Sequence, residues 1–148
     1  MLVDNGAGIL LGDGSNTVSI GNMIKGTRLG TYEVPNEFDN FFVGENYIFC
    51  NRTEGIEIQG QFGVILNNEI MYNGDTGIIL EEDSSGNLVM KNELICNIPE
   101  NIEDLSMNNN LLMNIEKPCE PCESPSEVCA GCDERIRKFD RQMEGVNE

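Results

Sequence analysis

Four of the six cysteines fall in one short stretch, PCEPCESPSEVCAGC, spaced as Cys119-x2-Cys122-x6-Cys129-x2-Cys132. Two close thiol pairs are the usual way to supply four thiolates to a tetrahedral Zn²⁺, because each pair wraps one side of the ion. The six-residue spacer is shorter than in most zinc ribbons. The same residues would instead pair as disulfides, within the tail or to another molecule, in an oxidising compartment. Redox catalysis is a third use of such pairs, but it calls for a thioredoxin-like βαβ scaffold, and that pattern is missing. The other two, Cys50 and Cys96, occupy matching places in the look-alike blocks NYIFCN and NELICN, with Tyr72 at that place in a third block between them.

Carboxylates are the second group able to do chemistry. Hydrolysis of a glycosidic bond needs two of them about 5 to 9 Å apart, one protonated and one ionised. The nearest candidates are Glu57, Glu81, Asp83 and Glu103, with Glu82 and Asp104 beside them. β-Elimination would need Ca²⁺ and a basic residue to take the α-proton. The only basic residues in the repeats are Lys25, Arg28, Arg52 and Lys91, and none lies in a recognisable lyase motif. The run Glu81-Glu82-Asp83 reads as a solvated turn, so calcium is not expected. In the longer excursion YEVPNEFDN, Tyr32 and Phe38 are candidates for stacking on a sugar ring, against the plainer reading of a loop that covers the side of the fold.

These groups must be positioned by a repeat. A Gly followed by a short apolar run recurs at Gly8, Gly30, Gly55 and Gly77, and Asn101 takes the fifth place, in steps of 22, 25, 22 and 24 residues. A second marker keeps phase with it: VSIGN, FVGEN, VILNN, LVMKN and LSMNN end at Asn22, Asn46, Asn68, Asn92 and Asn109. Each repeat holds two or three strands of three to five residues, separated by turn-forming Asn, Gly, Asp and Ser. Stacked in register about 4.8 Å apart, the repeats put Ile56 near Ile78 and Val64 near Leu88 in a core, and align the Asn side chains as a structural ladder. Cys50 and Cys96 are then two coils apart, about 9.6 Å. That is beyond the roughly 7 Å a disulfide between them would allow, so they read as small core-filling or turn residues. A leucine-rich repeat shares the period and the Asn, but the Gly-Ile-x-Ile strands stand where its convex segment would be.

The segment GIEIQG...VILNNEIMYNGDTGIIL resembles the right-handed parallel β-helix repeat of the pectin-lyase-like superfamily. The resemblance covers about residues 8 to 114 and implies an all-β solenoid of about five coils. It also implies a choice among polysaccharide lyases and hydrolases, surface and adhesion proteins, and phage tail fibres. The Asn-Thr-Asp and Asp-Asp pairs of the galacturonan hydrolases are absent, Asn16-Thr17 being followed by Val18, and there is no His.

A formal net charge of -17 repels phosphate backbones and anionic membrane surfaces. Nucleic acid is therefore not expected as a partner. No run approaches the roughly 18 apolar residues of a membrane span, and the start of the chain lacks the pattern of a secretory signal. The expectation is three parts: a β-helix over 1–115, a four-cysteine segment over 116–132, and a short amphipathic cap helix over 133–148. The location follows as cytoplasmic or an assembled surface coat. The function follows as non-catalytic, structural or interacting, joined to itself or another chain by end stacking or by the cysteine segment. A polysaccharide-binding or polysaccharide-degrading fragment is the alternative.

Overall fold

The computed structural model describes residues 2–3, 9–10, 18–25, 32–34, 39–106 and 108–119. In chain order its strands are β1 Leu2–Val3, β2 Ile9–Leu10, β3 Val18–Ile20, β4 Met23–Lys25, β5 Tyr32–Val34, β6 Phe42–Gly44, β7 Tyr47–Phe49 and β8 Ile56–Ile58. They continue as β9 Val64–Leu66, β10 Glu69–Met71, β11 Ile78–Leu80, β12 Leu88–Met90, β13 Glu93–Ile95, β14 Ile102–Asp104, β15 Asn110–Leu112 and β16 Ile115–Lys117. Every third strand stacks on the same sheet. The first sheet is β1-β4-β7-β10-β13-β16, the second β2-β5-β8-β11-β14 and the third β3-β6-β9-β12-β15, all paired in parallel. This is a right-handed parallel β-helix with three strands per coil, and no helix occurs among the described residues. Strands on all three sides leave no place for the convex segment of a leucine-rich repeat. The proposed helix of 133–148 and the cysteines beyond Cys119 lie outside the described residues.

Strands this short expose their alternation directly. In the first and third sheets the middle residue points inward, giving the columns Ile24-Ile48-Ile70-Leu94 and Val43-Ile65-Val89, all fully buried. In the second sheet the flanking residues point inward instead, so Ile56, Ile58, Ile78 and Leu80 are buried around outward Glu57 and Ile79. Ile56 does stack on Ile78 in the core. Val64 stacks on Leu88 as expected but on the outer side, both half-buried, because the inward place belongs to Ile65 and Val89.

The corners explain the two sequence markers. At two corners a left-handed residue precedes the ladder Asn: Gly21, Glu45, Asn67, Lys91 and Met113 ahead of Asn22, Asn46, Asn68, Asn92 and Asn114, and Cys50, Tyr72 and Cys96 ahead of Asn51, Asn73 and Asn97. The ladder Asn is therefore not the residue that adopts positive φ; its amide makes the coil-to-coil bonds. Gly55 and Gly77 are required by close approach, since a Cβ on Gly55 would lie 2.5 Å from the Gly77 carbonyl oxygen, and one on Gly77 2.6 Å from that of Asn101.

In the main ladder the Oδ1 of Asn68 accepts from the backbone N–H of Asn46 (3.0 Å) and from its Nδ2 (2.9 Å), and Asn68 donates in the same way to Asn92. The Nδ2 of Asn68 also donates to the Val43 carbonyl at 3.0 Å. The rungs run Asn22, Asn46, Asn68, Asn92 and then Asn114. Asn109 belongs elsewhere: it accepts from Asn87 in a second, shorter ladder. The shift follows from the last coil, where Asn110, Leu111 and Leu112 pair with Leu88, Val89 and Met90. The segment LSMNN thus leads into the strand that continues the LVM column and is not that strand. A third ladder links Asn51, Asn73, Asn97 and Asn101. Buried amides satisfied in this way escape the cost of an unpaired polar group, about 1 to 3 kcal/mol each.

Candidate functional site

The second sheet carries the carboxylates. By register the outward residues of β8, β11 and β14 are Glu57, Ile79 and Glu103. Glu57 and Glu103 are separated by an apolar rung, as the sequence spacing indicated. Gln59 Nε2 donates to Glu57 Oε1 at 3.0 Å. Glu81 directly follows β11 and its N–H donates to the Ile58 carbonyl at 2.9 Å. Its carboxyl is held above the ordinary Glu range, first by burial and then by the negative fields of Glu57, Glu103, Glu54 and Glu82. Glu82 and Asp83 are exposed on the turn closed by the Ser84 N–H to the Glu81 carbonyl, 2.9 Å.

Asp104 is not part of this face. It continues the inward Ile58-Leu80 column, where Ser106 Oγ and Asn109 Nδ2 donate to its Oδ1, both at 3.0 Å. The structure therefore brings Glu57, Glu81 and Glu103 to one face and sends Asp83 out on the turn. Among the described residues, no group of three or more His, Cys, Asp or Glu side chains is placed to hold a metal ion. Tyr32 lies in β5, and Phe38 lies outside the described residues.

The cysteines form a different kind of feature. Cys50 and Cys96 are both buried and both have positive φ, at equivalent corners after β7 and β13, so the turn reading of these positions holds. They are more than small packing residues, however. Cys96 is disulfide-bonded to Cys119, with Cα atoms 4.3 Å apart, and Cys50 is also in a disulfide. A thiolate set that includes Cys119 cannot form while that bond is closed. Local spacing drew attention to Cys119 with Cys122. The signal for the true pairing was the separation of 23 residues between Cys96 and Cys119, one repeat step.

Around Cys50, the outer side of the first sheet carries Met23, Tyr47, Phe49, Met71 and Tyr72 in one cluster. The Tyr47 and Phe49 rings are 4.6 Å apart and tilted by 50°. The Tyr47 hydroxyl lies 3.6 Å from Met71 Sδ.

Three parallel sheets, apolar inward columns and Asn ladders at the corners define the class: a right-handed parallel β-helix protein of the pectin-lyase-like kind. Within it, the chain belongs to the NosD family, whose model, described as periplasmic copper-binding protein, matches residues 1–116. No curated protein and no solved structure matches the chain. The family overturns the expected cytoplasmic location, because its members are periplasmic. An oxidising compartment agrees with the Cys96–Cys119 bond.

The family's metal can be tested against the donors present. Copper favours thiolate, thioether and imidazole ligands. The chain has no His, and Cys50, Cys96 and Cys119 are in disulfides. Among the described residues this leaves methionine thioethers, Met23 and Met71 of the Cys50 cluster among them, as the remaining soft donors.

Proposed function

We propose that this chain is a non-catalytic periplasmic binding scaffold, in which the β-helix is a rigid support and the cysteine-rich tail is the part that meets a metal or a partner chain. The observation that carries this reading is the Cys96–Cys119 disulfide, which fastens the beginning of the tail to a buried corner of the rod. The family's copper association extends to this chain through the tail: of the tail's thiols, Cys129 and Cys132 form a Cys-x2-Cys pair, a donor set that suits soft Cu(I). Zn²⁺ remains the competing ion for the same thiols.

The end of the rod limits how it joins other subunits. In the last coil the inward columns end on Asp104 and Glu116, facing Leu80 and Leu94 of the coil below. Inward charge at a sheet end opposes edge-to-edge growth. End stacking through this face is therefore disfavoured. Sedimentation at high concentration tests it: reversible self-association that survives charge substitution at Asp104 and Glu116 agrees, and loss of association in those variants contradicts it.

The test of the metal reading is a Cu(I) competition titration of the full-length protein, with the variant C129S/C132S beside it. Expected is one Cu(I) per chain, lost in the variant with the β-sheet circular dichroism unchanged. Retention of Cu(I) by the variant, or no binding by the wild type, would overturn it. The carboxylate face supports a second reading, sugar binding, because Glu81 is held toward its protonated form between two other carboxylates. Glycan-array binding that disappears in Glu81→Gln would favour this reading; no binding by the wild type would remove it.

A further inference from the structure

We propose that the outer face of the third sheet is a docking surface for a second copy of this chain, packed face to face with its rod running the opposite way. Inward places in this sheet belong to the middle residue of each strand, so the flanking residues point outward. By register one outward column reads Val18, Phe42, Val64, Leu88 and Asn110. The other reads Ile20, Gly44, Leu66, Met90 and Leu112. None of these residues is charged, in a chain of net charge -17. The other two outer faces differ, since Glu69 and Glu93 stand on the first sheet and Glu57 and Glu103 on the second. Val18 is 63%, Ile20 51% and Leu112 48% exposed, and the apolar side chains between them are half-buried. A continuous apolar strip bordered by polar corners marks an interaction site.

Two copies of one surface meet about a twofold axis that lies in the plane of contact. With the axis along β9, the middle strand of the sheet, each residue meets the one equally far beyond it. Phe42 then meets Leu88, Ile20 meets Leu112, and Leu66 meets its own counterpart. Met90 comes opposite Gly44, where the Phe42 ring lies across the glycine, 2.3 Å from the place of a Cβ. A thioether against an aromatic ring is a favourable contact. The corner that borders this face carries the charge complement. Its column is Gly21, Glu45, Asn67, Lys91 and Met113, each directly after the last outward residue of its strand. The axis passes Asn67, so Glu45 of one copy lies opposite Lys91 of the other, and the contact occurs twice. Both side chains are exposed. On the other border Phe62, 58% exposed and just ahead of β9, lies level with the axis and comes beside its counterpart. An axis parallel to the rod would instead set the charged corner against that of Asn40, Phe62 and Gly86, where neither charge meets its opposite.

The size of the face sets the strength of the contact. Five rungs about 4.8 Å apart give its length, and with both bordering corners it is about 20 Å wide. Face-to-face packing would bury on the order of 1,000 Å² over both copies, the low end for a specific interface, so the dimer is reversible. It uses the side of the rod and not the end that carries Asp104 and Glu116, and it stands whether or not the chain takes copper.

Sedimentation equilibrium of the full chain, carried into the high micromolar range, tests the face and its direction together. Expected is a monomer–dimer equilibrium. Leu66→Glu, which sets two like charges against each other at the axis, should abolish the dimer with the β-sheet circular dichroism unchanged. Glu45→Lys or Lys91→Glu alone should weaken association about tenfold, because each contact occurs twice, and the two together should restore it. A wild type that stays monomeric, a dimer indifferent to Leu66→Glu, or a double charge reversal that fails to recover would each overturn the proposal. Open-ended growth into longer species would do the same, by assigning association to the ends of the rod.

Discussion

The middle of the rod and its last coil use the same columns for opposite ends. Ile48, Ile70 and Leu94 follow one another in the first sheet with no exposure, and the next residue in that column is Glu116, which is exposed. In the third sheet Val43, Ile65 and Val89 are buried, whereas Leu111 in the same column is 43% exposed. The middle coils are stabilised from both sides, by apolar contact and by amide ladders. Among the described residues the last coil has β-helix on one side only, and it is fastened by a covalent bond at Cys96. What differs is not the local sequence pattern but the number of neighbours each coil has. A fold built from nearest-neighbour contacts is weakest where a neighbour is missing.

Substitutions can break or sharpen that contrast. Ile70→Ala should cost about 3 to 4 kcal/mol by opening a cavity in a fully buried column. Leu111→Ala, in the equivalent column of the last coil, should cost about 1 kcal/mol or less, because little apolar area is lost from an exposed site. Urea unfolding of both variants measures the pair, and equal losses would erase the distinction. The amide ladder gives the next largest effect. Asn68→Ala leaves the Asn46 N–H without its acceptor in a buried site and should cost about 2 to 3 kcal/mol. Asn109→Ala, half-buried and next to solvent, should cost about 1 kcal/mol by the same measurement.

Smaller effects come from the outer face. Glu81 has its folded pKa raised, so its penalty is absent below the ordinary Glu value and grows as pH rises through the folded one. Glu81→Gln should therefore raise the melting temperature at pH 7 and leave it unchanged near pH 4. The smallest change is at the corner. Lys91 has φ of 54°, and Lys91→Gly should stabilise by about 0.5 kcal/mol, because the strain of a left-handed side chain outweighs the added freedom of the unfolded chain.

Much of the fold was legible because a solenoid writes its period into the chain. The Gly marker was visible because Gly55 and Gly77 leave no room for a Cβ, and the Asn marker because each amide must meet its copy one coil away. What could not be read was which side of a three-residue strand faces inward. VIL of β9 and IIL of β11 are both wholly apolar, yet the first buries its middle residue and the second its two flanking ones, and only the corners decide. The last coil misled for a related reason: LSMNN and NLLMN both end an apolar stretch on Asn, and it is the pairing of Asn110–Leu112 with Leu88–Met90 that makes Asn114 the rung. The cysteine site was half legible. The local Cys-x2-Cys spacing is the louder signal, and the repeat-length separation of Cys96 and Cys119 carries the actual bond.

Hydrogen exchange followed strand by strand, before and after reduction of the disulfides, tests most directly whether a self-locked middle supports a tethered end. The amides of β7, β10 and β13 should exchange together at the slowest rate, with and without reductant. Those of β15 and β16 should exchange faster, and faster still once the Cys96–Cys119 bond is opened. Uniform protection across all coils, or loss of protection in the middle strands on reduction, would contradict the account.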